Sequence, residues 1–560
     1  MASKDYKDIA ADAQKRRNDV LPSSYLLSKD VLEGPLPRNV TAVPIDTGHY
    51  TREEIEIIHS QAEDILLKIK ERIWTSLEVT TAFCKAATAA HQLTNCLTEI
   101  LFPEALKRAE YLDQHLERTG TPIGPLHGLP ISLKDCFITP PHPASIGMAC
   151  FAEQPTTSER ETLLVTVLRD LGAVFYCKTN VPVAMMMMES INNVWGETRN
   201  PYHTGLSAGG SSGGEAALIA MRGSPLGVGT DIGGSIRIPS AWTNLYGLKA
   251  SSWRFPTWAI QTGIPGNDFV PAVNGPMARE LDTVRLYCEA VLSDTVRVWE
   301  KDPKCLPIPW RKGVLQPKGR KLRVGVVGRD DGCVTCHPPV ERALNITRRA
   351  LDEAGHEVID WLPTDHGEIA RALVKSFHDL GGSSIIPLLR KTGEPIFEQM
   401  KAYEEVFDAG ESSLDSAKLR QMNMERNQFQ KAYLDRWQAT AVDGKGPLDA
   451  IIMASTPWAA SKLGATQKSG YVGYTGVWNL LDFSVCTFPV TFADRSLDRA
   501  RTPGSWKPLN DLDKLVQADY DADFHHGAPV ALQLVGRRLE EEKVLEMVEV
   551  VADLLGKRNG

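Results

Sequence analysis

Polar and apolar positions alternate between helical and strand periods along almost the whole chain. Residues 51–70 place Ile55, Ile58, Ala62, Ile65, Leu66 and Ile69 on one face of a helix, and Thr51 with Glu54 forms a capping box at its start. Thr75 with Glu78 opens a second helix carrying Val79, Ala82, Phe83, Ala86 and Ala90 on its apolar face. Short apolar runs at 131–133, 173–177, 226–229, 322–327, 450–453, 485–490 and 530–535 predict strands. Such alternation predicts an α/β architecture, a sheet with helices on both faces. A length of 560 residues would ordinarily suggest about three or four domains. No low-complexity linker divides the chain, so the expectation is one domain over 1–560. Within it, 1–120 is an N-terminal helical region, 121–250 the core that carries the motifs below, 368–440 a helical peripheral lobe that could act as a lid, and 495–521 a polar surface insertion.

One segment stands out from this background. Ten of the thirty residues from Gly205 to Gly234 are glycine, against 44 in the whole chain. Glycine is entropically costly in ordered structure, so this density suggests backbone N–H groups brought close to a bound group without intervening side chains. One serine site lies inside it and a second directly after it, and a serine held among free backbone donors is how a nucleophile and an oxyanion hole are built. Glycine alone leaves a pair of tight turns as an equal reading. A second segment, 124–135, reads as a Pro/Gly-punctuated turn feeding a strand. Lys134 follows Ile131 and Leu133 there, so its run looks buried, and a buried lysine tends to lose its proton.

Together these residues resemble the amidase signature family, defined by a Gly/Ser-rich stretch and a Ser-Ser-Lys triad. The resemblance runs from about Tyr25 to about Leu555 and is closest to the fungal acetamidase branch, with fatty-acid amide hydrolases more distant. It implies one large twisted mixed sheet wrapped by helices. It implies Ser235, in Thr230-Asp231-Ile232-Gly233-Gly234-Ser235, as nucleophile, Ser211 as the bridging serine and Lys134 as general base. The N–H groups of Ile232, Gly233, Gly234 and Ser235 would form the oxyanion hole, and a cis peptide would precede Ser211. Such a base must be neutral, which requires a fall from ~10.4 by about 2–3, or roughly 3–4 kcal/mol of desolvation and hydrogen bonding. No metal or organic cofactor is implied.

The family position also places Met185, in the run Ala184-Met185-Met186-Met187-Met188, on the acyl pocket, where flexible thioethers make an adaptable apolar wall. In an extended segment Met185 and Met187 would face away from Met186 and Met188. Trp478 and Asn479 occupy another stretch that lines the cleft in relatives. Neither feature separates acetamide from longer, aromatic or carbamate substrates.

Two other motifs compete. Gly209-Gly210-Ser211-Ser212-Gly213 also satisfies the nucleophile-elbow pattern, which would make Ser211 the nucleophile and require a late histidine such as His525 or His526. That reading leaves Lys134 and the 230–235 run without a role. Cys333-Val334-Thr335-Cys336-His337 matches a c-type haem attachment pattern, best read as a chance match in a connecting loop. As a zinc site it offers three ligands and lacks a fourth.

The remaining cysteines are scattered as buried thiols are, the charged N-terminus leads into no apolar export segment, and no apolar run approaches 18 residues. These features predict a cytoplasmic protein. A net charge of −8 without basic blocks argues against nucleic acid and acidic membranes as partners. The expected partner is a small amide, and the family leaves monomer or homodimer open. The expected reaction is hydrolysis of small, acetamide-like carboxylic amides. The alternatives are another amide-like bond (ester, carbamate, secondary or aryl amide) and an amidotransferase subunit.

Overall fold

The computed structural model describes residues 4–556 apart from 318, 379, 411–413, 503 and 505, so parts of the expected lobe and insertion fall outside it. The first amphipathic stretch is broken in two, α1 (Arg52–His59) and α2 (Ala62–Lys70), because Ser60 turns extended and its hydroxyl bonds back to the Glu56 carbonyl. The apolar face survives the break: Ile58, Ala62, Ile65 and Ile69 are buried. Both capping boxes form, the second at the head of α3 (Ser76–Thr94).

One mixed sheet of eleven strands spans the described residues. In chain order these are β1 (Leu97–Ile100), β2 (Pro130–Lys134), β3 (Val174–Thr179), β4 (Leu226–Asp231), β5 (Tyr246–Lys249) and β6 (Val273–Ala278). They continue with β7 (Arg323–Val326), β8 (Glu357–Asp360), β9 (Ala450–Ala454), β10 (Val485–Phe492) and β11 (Pro529–Val535). The spatial order is β1-β3-β2-β4-β6-β5-β10-β11-β9-β7-β8, flanked by helices. β2 runs parallel to both β3 and β4, and the β7–β8 and β7–β9 pairs are parallel too, whereas the centre is antiparallel. A contiguous hydrophobic core reaches from Leu27 to Ala552.

Every expected strand is present. Four more are not apparent from periodicity: β1, β5, β6 and β8. β5 and β6 contain Gly247, Gly275 and Pro276, which read locally as breakers, yet each is clamped in the sheet between two neighbours. Tertiary pairing overrides propensity there.

Helices pack on this sheet, and the regions expected to be peripheral keep many exposed residues while docking at a few buried points. Helix α4 (Gly213–Ala220) lies on β4 and its neighbours, and helix α5 (Arg237–Trp242) lies on β11, β10 and β5. Helix α6 (His366–Phe377) covers helix α8 (Gly473–Leu480). The long helix α7 (Ser416–Gln438) docks through Tyr433 and Trp437, whose rings meet Trp478 and Phe483 at 5.6 Å in edge-on geometry. The 495–521 segment holds helix α9 (Asp511–Asp519) and is anchored by buried Asp498, which takes both ends of the Arg342 guanidinium, and by buried Asp513, which accepts from Thr335. No helix among the described residues is long and apolar enough to cross a membrane.

Gly214, in the first turn of α4, sits where a Cβ would lie 2.3 Å from Asn180 N, 2.6 Å from Asn180 O and 2.7 Å from Cys96 O. These are backbone atoms and cannot swing away. Gly214→Ala should therefore cost about 1–3 kcal/mol or more, read as a lower unfolding midpoint. An unchanged midpoint would mean that α4 does not press on β3 in this way.

Candidate functional site

Because β2 and β4 are parallel neighbours, with Leu133 opposite Val228, Lys134 and Thr230 come together at the same edge of the sheet. The glycine-rich turn before α4 brings Ser211 to that point, with a cis Gly210–Ser211 peptide. Lys134 Nζ lies 2.7 Å from Ser211 Oγ, 2.7 Å from Thr230 Oγ1 and 3.4 Å from the Thr230 carbonyl oxygen. Lys134 has no exposure to solvent, and burial pulls its ammonium down to about 8, against the opposing pull of Cys136, Asp231 and Glu215. Thr230, a partner of the lysine, carried no role in the sequence reading. Its only sequence signal is its place in the same motif.

Ser235 is joined to this pair through the backbone, its carbonyl accepting from Ser212 N–H at 3.1 Å. Unlike Lys134 and Ser211 it keeps partial exposure and faces a cavity. The turn that presents it is built on Asp231. That carboxylate accepts from Gly234 N at 2.8 Å and Ile236 N at 3.1 Å, and is clamped by Arg237 Nε and Nη2, both at 3.0 Å. Asn479 Nδ2 donates to it at 2.9 Å. Burial alone would raise Asp231, but the Arg237 charge and these donors bring it down to about 2. Arg237 in turn donates to the Thr475 carbonyl, Gln533 and Asn479. Gly234 has φ +132° and space for no side chain, since a Cβ would meet Thr475 Oγ1 at 2.3 Å.

This geometry modifies the expected ring of four donors. The Gly234 N–H is taken by Asp231. The N–H groups of Ile232, Gly233 and Ser235 donate to no acceptor among the described residues. Three unpaired donors remain in the turn.

The cavity in front of Ser235 measures about 580 Å³. Its walls come from Met185–Met188, from α6 through Ala370, Val374 and Phe377, and from the stretch 470–473 before α8. Ala402 and Tyr403 add to the cover, and Asn510 and Leu512 come from the expected surface insertion. Met185 and Ile232 also line an adjoining chamber of about 180 Å³.

Two expectations about this wall are corrected. All four methionines line the cavity, because the run is not extended: Ala184 and Met185 adopt positive φ in a short 3-10 turn. The run is tied to the serine loop by Ser190, whose N–H and Oγ both donate to the Gly209 carbonyl. Trp478 and Asn479 do not line the cavity: Trp478 is buried behind it, and Asn479 serves the Asp231–Arg237 pair.

The competing motifs fall elsewhere. His525 is buried against His337 and Tyr520, held down to about 4 by burial, and the titratable side chain that reaches Ser211 is Lys134. In the 333–337 loop, Cys333 lines the cavity rim, Cys336 Sγ meets Tyr474 OH at 3.3 Å, and His337 Nε2 bonds to the Val516 carbonyl at 2.9 Å. The three side chains have separate partners, and no cluster of three or more metal-type ligands exists among the described residues.

Since Asp231 and Arg237 are both without solvent exposure, Arg237→Met would strand a buried anion. The expected cost is about 3–5 kcal/mol, with lost activity as the 232–235 turn loosens. A variant with the parental unfolding midpoint would refute this role for the pair.

The family described as Amidase matches residues 78–545. An acetamidase of Aspergillus oryzae is 37% identical over 99% of this chain and 100% of its own length. An acetamidase of Emericella nidulans is 37% identical over 98% of each. A solved fatty acid amide hydrolase superposes with a TM-score of 0.89 at 31% identity, covering 99% of this chain and 95% of the other. The chain belongs to the amidase family, enzymes acting on carbon–nitrogen bonds other than peptide bonds.

Proposed function

We propose that the protein hydrolyses carboxylic amides to a carboxylate and ammonia or an amine through an acyl-enzyme on Ser235. The observation that carries this reading is the fully buried Lys134, 2.7 Å from Ser211 Oγ, with Ser235 beside them on the wall of an apolar cavity. Neutral Lys134 accepts the Ser211 proton while its own two N–H groups point to Thr230. Ser211 takes the proton of Ser235 as that oxygen attacks the carbonyl carbon. The N–H groups of Ile232, Gly233 and Ser235 receive the developing oxyanion. The proton returns through Ser211 to the leaving nitrogen, the C–N bond breaks, and water repeats the sequence on the ester. No step calls on a cofactor.

The named relatives support acetamide-like substrates. The cavity supports a second reading: about 580 Å³ of methionine- and phenylalanine-lined space is in the range that holds drug-sized ligands. Amides with longer apolar acyl groups should be turned over with higher kcat/KM than acetamide. A panel of amides, esters and carbamates assayed by product mass separates these readings. Ammonia release from simple amides by the purified chain alone separates both from an amidotransferase subunit. A cytoplasmic site of action is part of this proposal, supported by ten cysteines that are all unpaired.

A serine-directed fluorophosphonate should label Ser235, and Ser235→Ala should abolish labelling and lower turnover by several orders of magnitude. Labelling of Ser211 or Ser212 instead would revive the elbow reading. Wild-type activity should fall as pH drops through about 8, because protonated Lys134 cannot accept a proton. Lys134→Ala should lose most activity and this acid limb together; a near-normal rate with the limb intact would rule Lys134 out as the base.

A further inference from the structure

Two residues before Lys134 on β2, Ser132 enters a buried polar row that the proposed mechanism does not use. Ser132 Oγ lies 2.5 Å from Glu215 Oε2 and 3.0 Å from Ser224 Oγ, and Ser224 Oγ lies 2.8 Å from the Leu226 carbonyl oxygen. The other carboxyl oxygen of Glu215 accepts from Thr179 Oγ1 at 2.9 Å. Ser132, Thr179, Glu215 and Ser224 have no measurable exposure.

Counting protons along this row decides its polarity. It contains three oxygen–oxygen contacts of hydrogen-bond length, and its two serines supply one proton each. The far end is a carbonyl, which only accepts, so Ser224 donates to Leu226. Ser132 then donates to Ser224, because turning its proton toward Glu215 instead would leave the two serine oxygens bare against each other at 3.0 Å in the dry interior. The contact between Ser132 and Glu215 has no proton left unless the carboxyl group carries it. Reversing the row would set two bare oxygens, Ser224 Oγ and Leu226 O, against each other at 2.8 Å in a dry interior.

We infer that Glu215 is a neutral carboxylic acid, donating to Ser132 at the head of a chain that ends on the Leu226 carbonyl, and that this neutrality leaves Lys134 free to act as a base. The second half rests on the reading of Lys134 given above, and Glu215 acts through Lys134 as a positioning residue. The surroundings agree. Burial is the largest influence on Glu215 and lifts it to about 8 despite the opposite pull of Ser132, Thr179 and Lys134. Around it stand Lys134 and Ser132 on β2, Tyr176, Cys177 and Thr179 on β3, and Cys96 ahead of β1. Around Lys134 stand Cys136, Asp231 and Glu215. Asp231 is already compensated by Arg237. An ionised Glu215 would be an uncompensated anion acting on Lys134 and would hold the proton on it; an opposite charge nearby typically moves a pKa by about 1–3.

Infrared difference spectra of the full chain near pH 7 should show a deuterium-sensitive carbonyl band of a protonated carboxylic acid that disappears in Glu215→Gln. If that variant does not fold, Ser132→Ala should shift the same band, since the acid loses its acceptor. The acid limb of kcat/KM should keep its midpoint in Glu215→Gln, whose amide mimics the acid. In Glu215→Asp, one methylene shorter and out of reach of Ser132, the carboxylate ionises and the midpoint should rise by about one pH unit. Absence of the band in wild type, or a midpoint lowered by a unit or more in Glu215→Gln, would show Glu215 to be ionised and overturn the inference. A wild-type midpoint in Glu215→Asp would leave the acid a packing feature and overturn its link to Lys134. Fluorophosphonate labelling that missed Ser235 would instead overturn the triad reading, and the infrared band would still decide the state of Glu215.

Discussion

The buried ion pair between Asp231 and Arg237 is the constraint on which the rest of the site depends. Two charges without solvent are expensive to bury, and here every available hydrogen-bonding direction is used. Asp231 takes backbone N–H groups from the 232–236 turn, and Arg237 reaches α8 and β11. The pair thus ties the end of β4, the start of α5, α8 and the far half of the sheet to one point. The shape of the turn, and hence the direction of its free N–H groups, follows from satisfying that carboxylate rather than from the turn's own preferences.

Lys134 is handled in the opposite way. Where Asp231 has a full cationic partner, Lys134 has hydroxyls and a carbonyl, and burial dominates. Two buried ionisable groups a few residues apart along neighbouring strands are therefore pushed in different senses, one kept firmly charged and the other brought close to neutrality. Fixed donors on one side and a weakly held proton on the other are the division of labour that general-base chemistry needs.

Much of this was legible in the sequence, but unevenly. Helix starts were readable because a capping box is a local pattern, as at Thr51 and Thr75. The positions that bring Lys134 to Ser211 were readable because both lie in long motifs. The strands β5 and β6 were not, since local propensity there is outweighed by sheet pairing, and the break at Ser60 was not, since one serine turning extended interrupts an otherwise unbroken helical pattern. The conformation of Met185–Met188 was missed because positive φ at Ala184 and Met185 leaves no trace in residue type. Thr230 and Glu215 carried no role in the pattern, and Asn479 was placed on the cleft instead of at Asp231, for a related reason. Each is an ordinary polar residue until long-range packing buries it, and Asn479 is brought from more than two hundred residues away to meet Asp231.

The cavity walls have a consequence of their own. The methionine run, α6, the 470–473 stretch and the 510–512 corner supply most of its surface, whereas Lys134, Ser211 and the Asp231 turn stand on the sheet and its adjoining helices. Recognition and reactivity are thus written in different parts of the chain. Mutational drift can reshape what the chamber admits without touching the groups beneath it, so that one scaffold can diversify in diet while its chemistry stays fixed.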